Sequence, residues 1–185
     1  IVLDFNSTMK TIHGVEDSGK VVICQPGVVL ETLNDFLAKY NRKIGPDPSS
    51  GNRAVMGGVV ANNATGAHSL CYGYIAEYVE KIEAVLDDGS IVLIENNMRP
   101  EKLTGRLREI ADSLIRLLAG KEQLIKNAQP ATARNRCGYN INGMCHDGKI
   151  DIAKLMAGSE GTLAVFTKFW IRTVELPKVD RKSVV

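Results

Sequence analysis

Residues 45–73 read Gly45-Pro46-Asp47-Pro48-Ser49-Ser50-Gly51-Asn52-Arg53-Ala54-Val55-Met56-Gly57-Gly58-Val59-Val60-Ala61-Asn62-Asn63-Ala64-Thr65-Gly66-Ala67-His68-Ser69-Leu70-Cys71-Tyr72-Gly73, with six glycines in one stretch. Pro46 and Pro48 restrict the backbone, and the glycines admit positive φ. Ser49 and Ser50 add two hydroxyls to the same loop, which suits phosphate oxygens. No Asp or Glu occurs from Pro48 to Ala76, where the chain's average of 21 acids in 185 residues predicts about three. Arg53 and His68 are the only basic residues there, so an anion would be held by backbone N–H groups and hydroxyls. Small residues at Gly57, Gly58, Ala61, Ala64 and Gly66 would let a flat ligand lie against the backbone. A tightly packed turn region without a ligand has the same composition, and neither G-x-G-x-x-G nor P-loop spacing occurs.

A second cluster, Ala157-Gly158-Ser159-Glu160-Gly161-Thr162-Leu163, sits between an expected short helix at 152–156 and a long strand at 163–174. Gly158 can end the helix, and Gly161 can let a ligand approach the first amides of the strand. An ordinary helix-to-strand turn would look similar.

Outward from these loops, Ile1–Phe5 and residues 11–24 read as strands, with a hairpin turn at Glu16-Asp17-Ser18-Gly19. Leu30, Leu33, Leu37 and Tyr40 recur at helical spacing. Tyr78–Leu86 and Ile91–Ile94 flank Asp87-Asp88-Gly89-Ser90 as a second hairpin. Glu101–Leu118 reads as a helix with Leu107, Ile110, Leu114 and Leu117 on one face. Residues 128–148 give no firm pattern. The order of strands and helices lacks the regular alternation of a doubly wound sheet and favours an α+β fold, with a mixed or antiparallel sheet flanked by helices.

Composition bounds the function. The net charge of +2, from 23 basic against 21 acidic residues, gives no footprint for nucleic acid or an anionic membrane. No apolar run has the length of a membrane span. Cys24, Cys71, Cys137 and Cys145 form no C-x-x-C pair and read as free thiols. Cys137, Cys145 and His146 match no zinc spacing, so no metal is expected. The strand-like start without an initiator Met, and the polar end Val179–Val185, read as a chain cut inside a larger protein. His13 and His146 read as surface residues.

The segment PDPSSGNRAVMGGVVANNATGAHSLCYG, the Tyr-Val-Glu strand and DDGS hairpin after it, and GSEGTL about 100 residues downstream together resemble the FAD-linked oxidase family. Its domain fold is shared by vanillyl-alcohol oxidase and p-cresol methylhydroxylase (the PCMH type). The resemblance runs from Ile1 to about Pro177 and is closest to D-lactate, glycolate and D-2-hydroxyglutarate dehydrogenases. Arg134-Asn135-Arg136-Cys137-Gly138-Tyr139-Asn140 resembles large bacterial members that also carry iron–sulfur domains. The resemblance implies residues 1–45 as the remainder of an N-terminal α/β lobe, 46–177 as a second α+β lobe, and 178–185 as the start of a linker to a substrate domain. It also implies that the first phosphate loop and the catalytic His lie outside the chain, so no catalytic residue is named within it.

For the cofactor, the resemblance implies non-covalent FAD. Pro46, Asp47, Pro48, Ser49 and Ser50 would line its pyrophosphate and ribose. Gly57 and Gly58 would let the backbone approach it. Asn62, Asn63, Ala64, Thr65 and Gly66 would run along the diphosphate and toward the flavin, and Ser69, Tyr72 and Gly73 would complete that loop. Glu160, Gly161, Thr162 and Leu163 would close from the other side. Ala164 stands where the family usually has glycine, and His68 where relatives often carry Arg. The implied reaction of the whole protein is oxidation of a 2-hydroxy acid to a 2-oxo acid. Electrons would pass to a quinone, an electron-transfer flavoprotein or an iron–sulfur domain. The same fold acting on another alcohol, a sugar or an ether lipid, or a nucleotide-binding module without redox chemistry, are the alternatives. A cytoplasmic setting is expected, with peripheral attachment to the inner membrane left open.

Overall fold

The computed structural model describes residues 3–5, 7–132 and 138–177. The chain opens with a hairpin, β1 (Ile12–Glu16) and β2 (Val21–Cys24), turned by Asp17, Ser18 and Gly19, all at positive φ. It continues through α1 (Leu30–Ala38), β3 (Arg42–Lys43), α2 (Met56–Ala61) and α3 (Ser69–Tyr72) to a second hairpin, β4 (Val79–Val85) and β5 (Ile91–Glu95). Then come α4 (Gly105–Leu118), α5 (Glu122–Asn127), a small hairpin of β6 (Cys145–His146) and β7 (Lys149–Ile150), α6 (Ile152–Met156), β8 (Val165–Arg172) and β9 (Val174–Glu175).

Five strands form one antiparallel sheet in the order β1-β2-β8-β4-β5. The last long strand thus lies at the centre, with Phe169 opposite Cys24 on one side and Ile82 on the other. Strands from both sides of residue 45 share this sheet, so the expected lobe division does not coincide with a break in it. Beneath the sheet, Leu30, Leu33 and Leu37 of α1, Met56 and Val60 of α2, and Ile152 of α6 bury their side chains with Phe169 in one core.

Several expectations change. Leu3, Asp4 and Phe5 form no strand, and Ile1 and Val2 lie outside the described residues. Tyr40 is not part of the helical stripe. The helix ends at Ala38, and Tyr40 N–H turns back to the Leu37 carbonyl. On α4 the fully buried residues are Leu107, Ala111 and Leu118, while Leu117 is 60% exposed. Leu107, Ile110 and Leu114 of the expected stripe do pack on the core, and only Leu117 departs from it, with Ala111 and Leu118 buried beside them. Two short helices, α2 and α3, arise inside the glycine-rich stretch. Residues 128–148 end in β6 and the turn that joins it to β7, with Asp147 and Gly148 at positive φ in that turn. The Arg134–Cys137 part of the subfamily motif falls outside the described residues.

Phe169 has no exposed surface and packs edge-on to Phe166 at 5.6 Å between ring centroids. Phe169→Ala is expected to cost about 3–5 kcal/mol, measured as a drop in unfolding free energy in denaturant.

Candidate cofactor site

The start of α2 is pinned to the chain just before α1. Met56 N–H donates to the Val28 carbonyl and Gly57 N–H to the Pro26 carbonyl, each at 2.8 Å. The helix turns Met56, Val59 and Val60 inward and leaves Gly58 and Asn62 exposed. The loop before β8 then lies across the end of α2. Gly158 N–H donates to Val60 and Glu160 N–H to Ala61, at 3.0 and 2.9 Å. The loop reaches this path through left-handed residues at Gly158, Glu160 and Gly161, with φ of 99°, 53° and 73°. For Glu160, a non-glycine, that conformation costs on the order of 1 kcal/mol.

Between α2 and this loop runs a groove of about 460 Å³. Gly57, Gly58 and Ala61 line one side, Glu160, Gly161 and Ala164 the other, and Leu3–Phe5 lie at its margin. A second cavity of about 350 Å³ adjoins it through Asn62 and Glu160 and extends past Asn63 to Tyr139 and Asn140. A third, of about 210 Å³, lies under Tyr139, Ser159 and Thr162. Thr162 Oγ1 donates to the Ser159 carbonyl at 2.5 Å, so the Tyr139 hydroxyl must donate to Thr162 Oγ1, at 2.9 Å. This chain of bonds fixes the Ser159 peptide. The Ser159 hydroxyl itself is buried without a hydrogen-bond partner among the described residues.

The paired glycines do different work. A Cβ on Gly57 would stand 2.9 Å from the Pro26 Cβ, so that position is already filled by protein. A Cβ on Gly58 would meet nothing nearer than the Val55 Cγ2 at 4.0 Å, and one on Gly161 would meet nothing within 4 Å. At Gly58 and Gly161 the space a side chain would occupy is open, and both residues line the groove. The groove also holds Asp4 and Glu160. The acid-free composition of residues 48–76 therefore does not carry over to it, because the fold brings in acids from elsewhere.

Of the expected residues, the structure gathers Gly57, Gly58, Asn62, Asn63, Glu160, Gly161 and Thr162 around these cavities. Pro46, Asp47, Pro48, Ser49, Ser50, Ala64, Thr65, Gly66, Ser69, Tyr72, Gly73 and Leu163 line none of the three. Many of these are occupied within their own loop. Asp47 accepts from His68 N–H at 3.1 Å, and its carboxylate pairs with the His68 ring. Gly66 lies so close to Asp47 that a Cβ there would overlap its carbonyl. The Thr65 hydroxyl donates to the Gly73 carbonyl at 2.6 Å. Asn63 Oδ1 accepts from Ala76 N–H at 3.0 Å, which leaves its Nδ2 as the unused donor. Tyr72 carries Lys43 Nζ over its ring at 4.7 Å. Sequence reasoning missed Leu3–Phe5, Pro26, Tyr139 and Asn140 as lining residues. The Gly138-Tyr139-Asn140 motif was the available signal for the last two.

Burial pushes the Asp47 carboxyl up, but the hydrogen bonds and charge of His68 outweigh it and hold it below the usual carboxylate range. Burial pushes the Cys24 thiol up to about 12, so it stays protonated.

The model of the FAD binding domain family matches residues 1–95, and the chain belongs to that family. Curated proteins similar to it include D-2-hydroxyglutarate and D-lactate dehydrogenases. D-2-hydroxyglutarate dehydrogenase of Escherichia coli (strain K12) is 29% identical over 98% of this chain and 18% of its own length. D-lactate dehydrogenase of Archaeoglobus fulgidus is 30% identical over 85% of this chain and 25% of its own. Mitochondrial D-lactate dehydrogenase [cytochrome] 1 of Saccharomyces cerevisiae is 26% identical over 100% and 24%. The chain thus spans 18–25% of the length of these curated relatives. A solved alkyldihydroxyacetonephosphate synthase shares the fold, with a TM-score of 0.56 and 19% identity over 92% of this chain and 22% of that one. The open space at Gly58 and Gly161 and the unpartnered Ser159 hydroxyl are consistent with a site for FAD.

Two substitutions separate packing from cofactor contact. Gly57→Ala is expected to lower thermal stability, because Pro26 occupies the space the methyl needs. Gly58→Ala is expected to stabilise the apoprotein by about 0.5–1 kcal/mol, as glycine removal from a helix interior does, yet to lower flavin content. Both are read from melting temperature and flavin absorbance per protein. A third test concerns pH. Because the folded Asp47 is held below its unfolded value, its stabilisation is complete above about pH 4 and is lost as pH falls through the lower folded value. The stability advantage of the wild type over Asp47→Asn should therefore shrink as pH falls below about 4, as denaturant titrations at several pH values will show.

Proposed function

We propose that this chain is the FAD-holding part of a flavin-dependent dehydrogenase that oxidises a 2-hydroxy acid, such as D-2-hydroxyglutarate, D-lactate or glycolate, to its 2-oxo acid. The observation that carries the reading is the groove between α2 and the 158–164 loop, walled by glycines whose side-chain space is open. The relatives named above, which act on D-2-hydroxyglutarate or D-lactate, supply the substrate class.

Asp4 and Glu160 are carboxylates, so they suit the hydroxyls and amino group of an adenosine end better than a phosphate. Gly58 and Gly161 admit close backbone approach, and Leu3, Phe5 and Phe166 give the groove apolar walls. Asn62, the Asn63 Nδ2 and Thr162 offer polar contacts along the adjoining cavities. Pro46, Asp47, Pro48, Ser49, Ser50, Ala64, Thr65, Gly66, Ser69, Tyr72, Gly73 and Leu163 shape the loops that frame them, a role their mutual hydrogen bonds support. When bound, FAD supplies the two-electron redox chemistry. The protein residues bind and orient it and exclude water. His68 is engaged by Asp47, which supports non-covalent attachment.

The electron acceptor is a quinone, an electron-transfer flavoprotein or an iron–sulfur domain. No described helix is long and apolar enough to cross a membrane. We place the protein in the cytoplasm, with room for peripheral attachment to the inner membrane.

The test uses the purified full-length protein. One of the three 2-hydroxy acids should bleach its visible flavin absorbance anaerobically. If none does while dithionite reduces the same flavin fully, the substrate class is wrong. If denaturation releases no flavin, the cofactor reading is wrong.

A further inference from the structure

Strand β5 forms one edge of the five-stranded sheet. In the β4–β5 hairpin, Leu86 N–H donates to the Ser90 carbonyl and Asn96 N–H to the Glu80 carbonyl, so the backbone groups of Ser90 and Asn96 face the β4 side. Backbone groups alternate sides along a strand. The pairing of β4 with β5 is regular from Ile91 to Glu95. The amides and carbonyls of Ile91 and Leu93 therefore point away from the sheet. Glu95 N–H, on the same side, turns to the Met98 sulfur at 3.4 Å. The side chains of Ile91 and Leu93 are 70% and 44% exposed. Natural edge strands are usually blunted by charge, proline or a bulge, and here two apolar residues stand open instead.

The edge already accepts a strand one step further on. Met98 and Ile150 of β7 exchange two backbone hydrogen bonds, each 2.9 Å. Beside this point lies a groove of about 420 Å³ walled by Leu93, Met98 and Leu103 and by Arg99, Lys102 and Lys149. Its one acid, Glu95, is neutralised by Lys81 at 3.0 Å. Arg99 has a loose, exposed pair with Glu101 at 3.8 Å. Lys102 and Lys149 have no ion pair among the described residues. The groove is thus a cationic pocket at the end of an open, apolar strand edge.

We propose that the β5 edge, together with Arg99, Lys102 and Lys149, is a docking site for an extended acidic segment of a partner protein. The segment adds as a strand along Ile91–Leu93, in line with β7. Its backbone supplies the hydrogen bonds, alternate apolar side chains cover Ile91 and Leu93, and its carboxylates enter the cationic groove. Charge decides against a second copy of this chain, because two such grooves would repel each other.

The probe is the fluorescein-labelled peptide acetyl-Asp-Glu-Val-Thr-Val-Thr-Glu-Asp-amide, with acids at both ends so that either strand direction is served. Fluorescence anisotropy with the FAD-loaded full-length protein should show saturable binding that weakens as salt rises. The double variant Lys102→Glu/Lys149→Glu should weaken it about tenfold or more, with flavin content unchanged. N-methylation of alternate peptide amides, which leaves the protein untouched, should abolish it. Equal binding of a Lys-for-acid peptide, unaltered binding to the double variant, or no binding at millimolar peptide would overturn the proposal. So would a concentration-dependent dimer in light scattering that buries β5.

Discussion

Gly158 and Glu160 donate their N–H groups to the last carbonyls of α2, and the position of everything near the groove follows from those two bonds. They fix how far the 158–164 loop stands from the helix, and hence the width of the space between them. They also demand the left-handed turns at Gly158, Glu160 and Gly161, since an ordinary right-handed path would carry the chain away from α2. A Cβ at Gly158 would press on the Asn63 side chain at 3.2 Å. The two glycine-rich segments, nearly a hundred residues apart in sequence, are therefore fitted to each other as well as to a ligand.

That fit has a rigid base on both sides. The loop leads directly into β8, held between β2 and β4. Beyond β8, Thr173 is buried, donates to the Gly19 carbonyl and accepts from Arg42 Nε, each at 2.5 Å. Opposite, α2 is anchored to Pro26 and Val28. A groove framed by such elements is preformed, so little ordering is required when a ligand enters.

Much of the fold was legible because local patterns and tertiary demands agree. The DDGS turn, the Leu30-Leu33-Leu37 stripe and the 152–156 helix each follow from short-range chemistry. The 45–73 stretch was harder. Its glycines signalled close approach without saying what approaches, and Gly57 and Gly66 turn out to admit Pro26 and Asp47. Thr65 was expected beside the cofactor, yet its hydroxyl bonds to Gly73 within the loop. The acids of the groove, Asp4 and Glu160, come from the two ends of the chain, and no windowed reading of charge could bring them together. Tyr139 was visible as part of a motif, but its bond to Thr162 depends on long-range packing.

The central place of β8 has a further meaning for how the molecule is made. The β1–β2 hairpin and the β4–β5 hairpin are each complete early in the chain, yet neither touches the other until β8 enters between them. Until β8 follows, both present bare inner edges, β2 and β4, that carry Val and Ile. Such edges pair readily with whatever strand is nearest. The last long strand is therefore the keystone of assembly: until it has been made, two edges competent to pair stand open, and once it is in place both are closed by one segment.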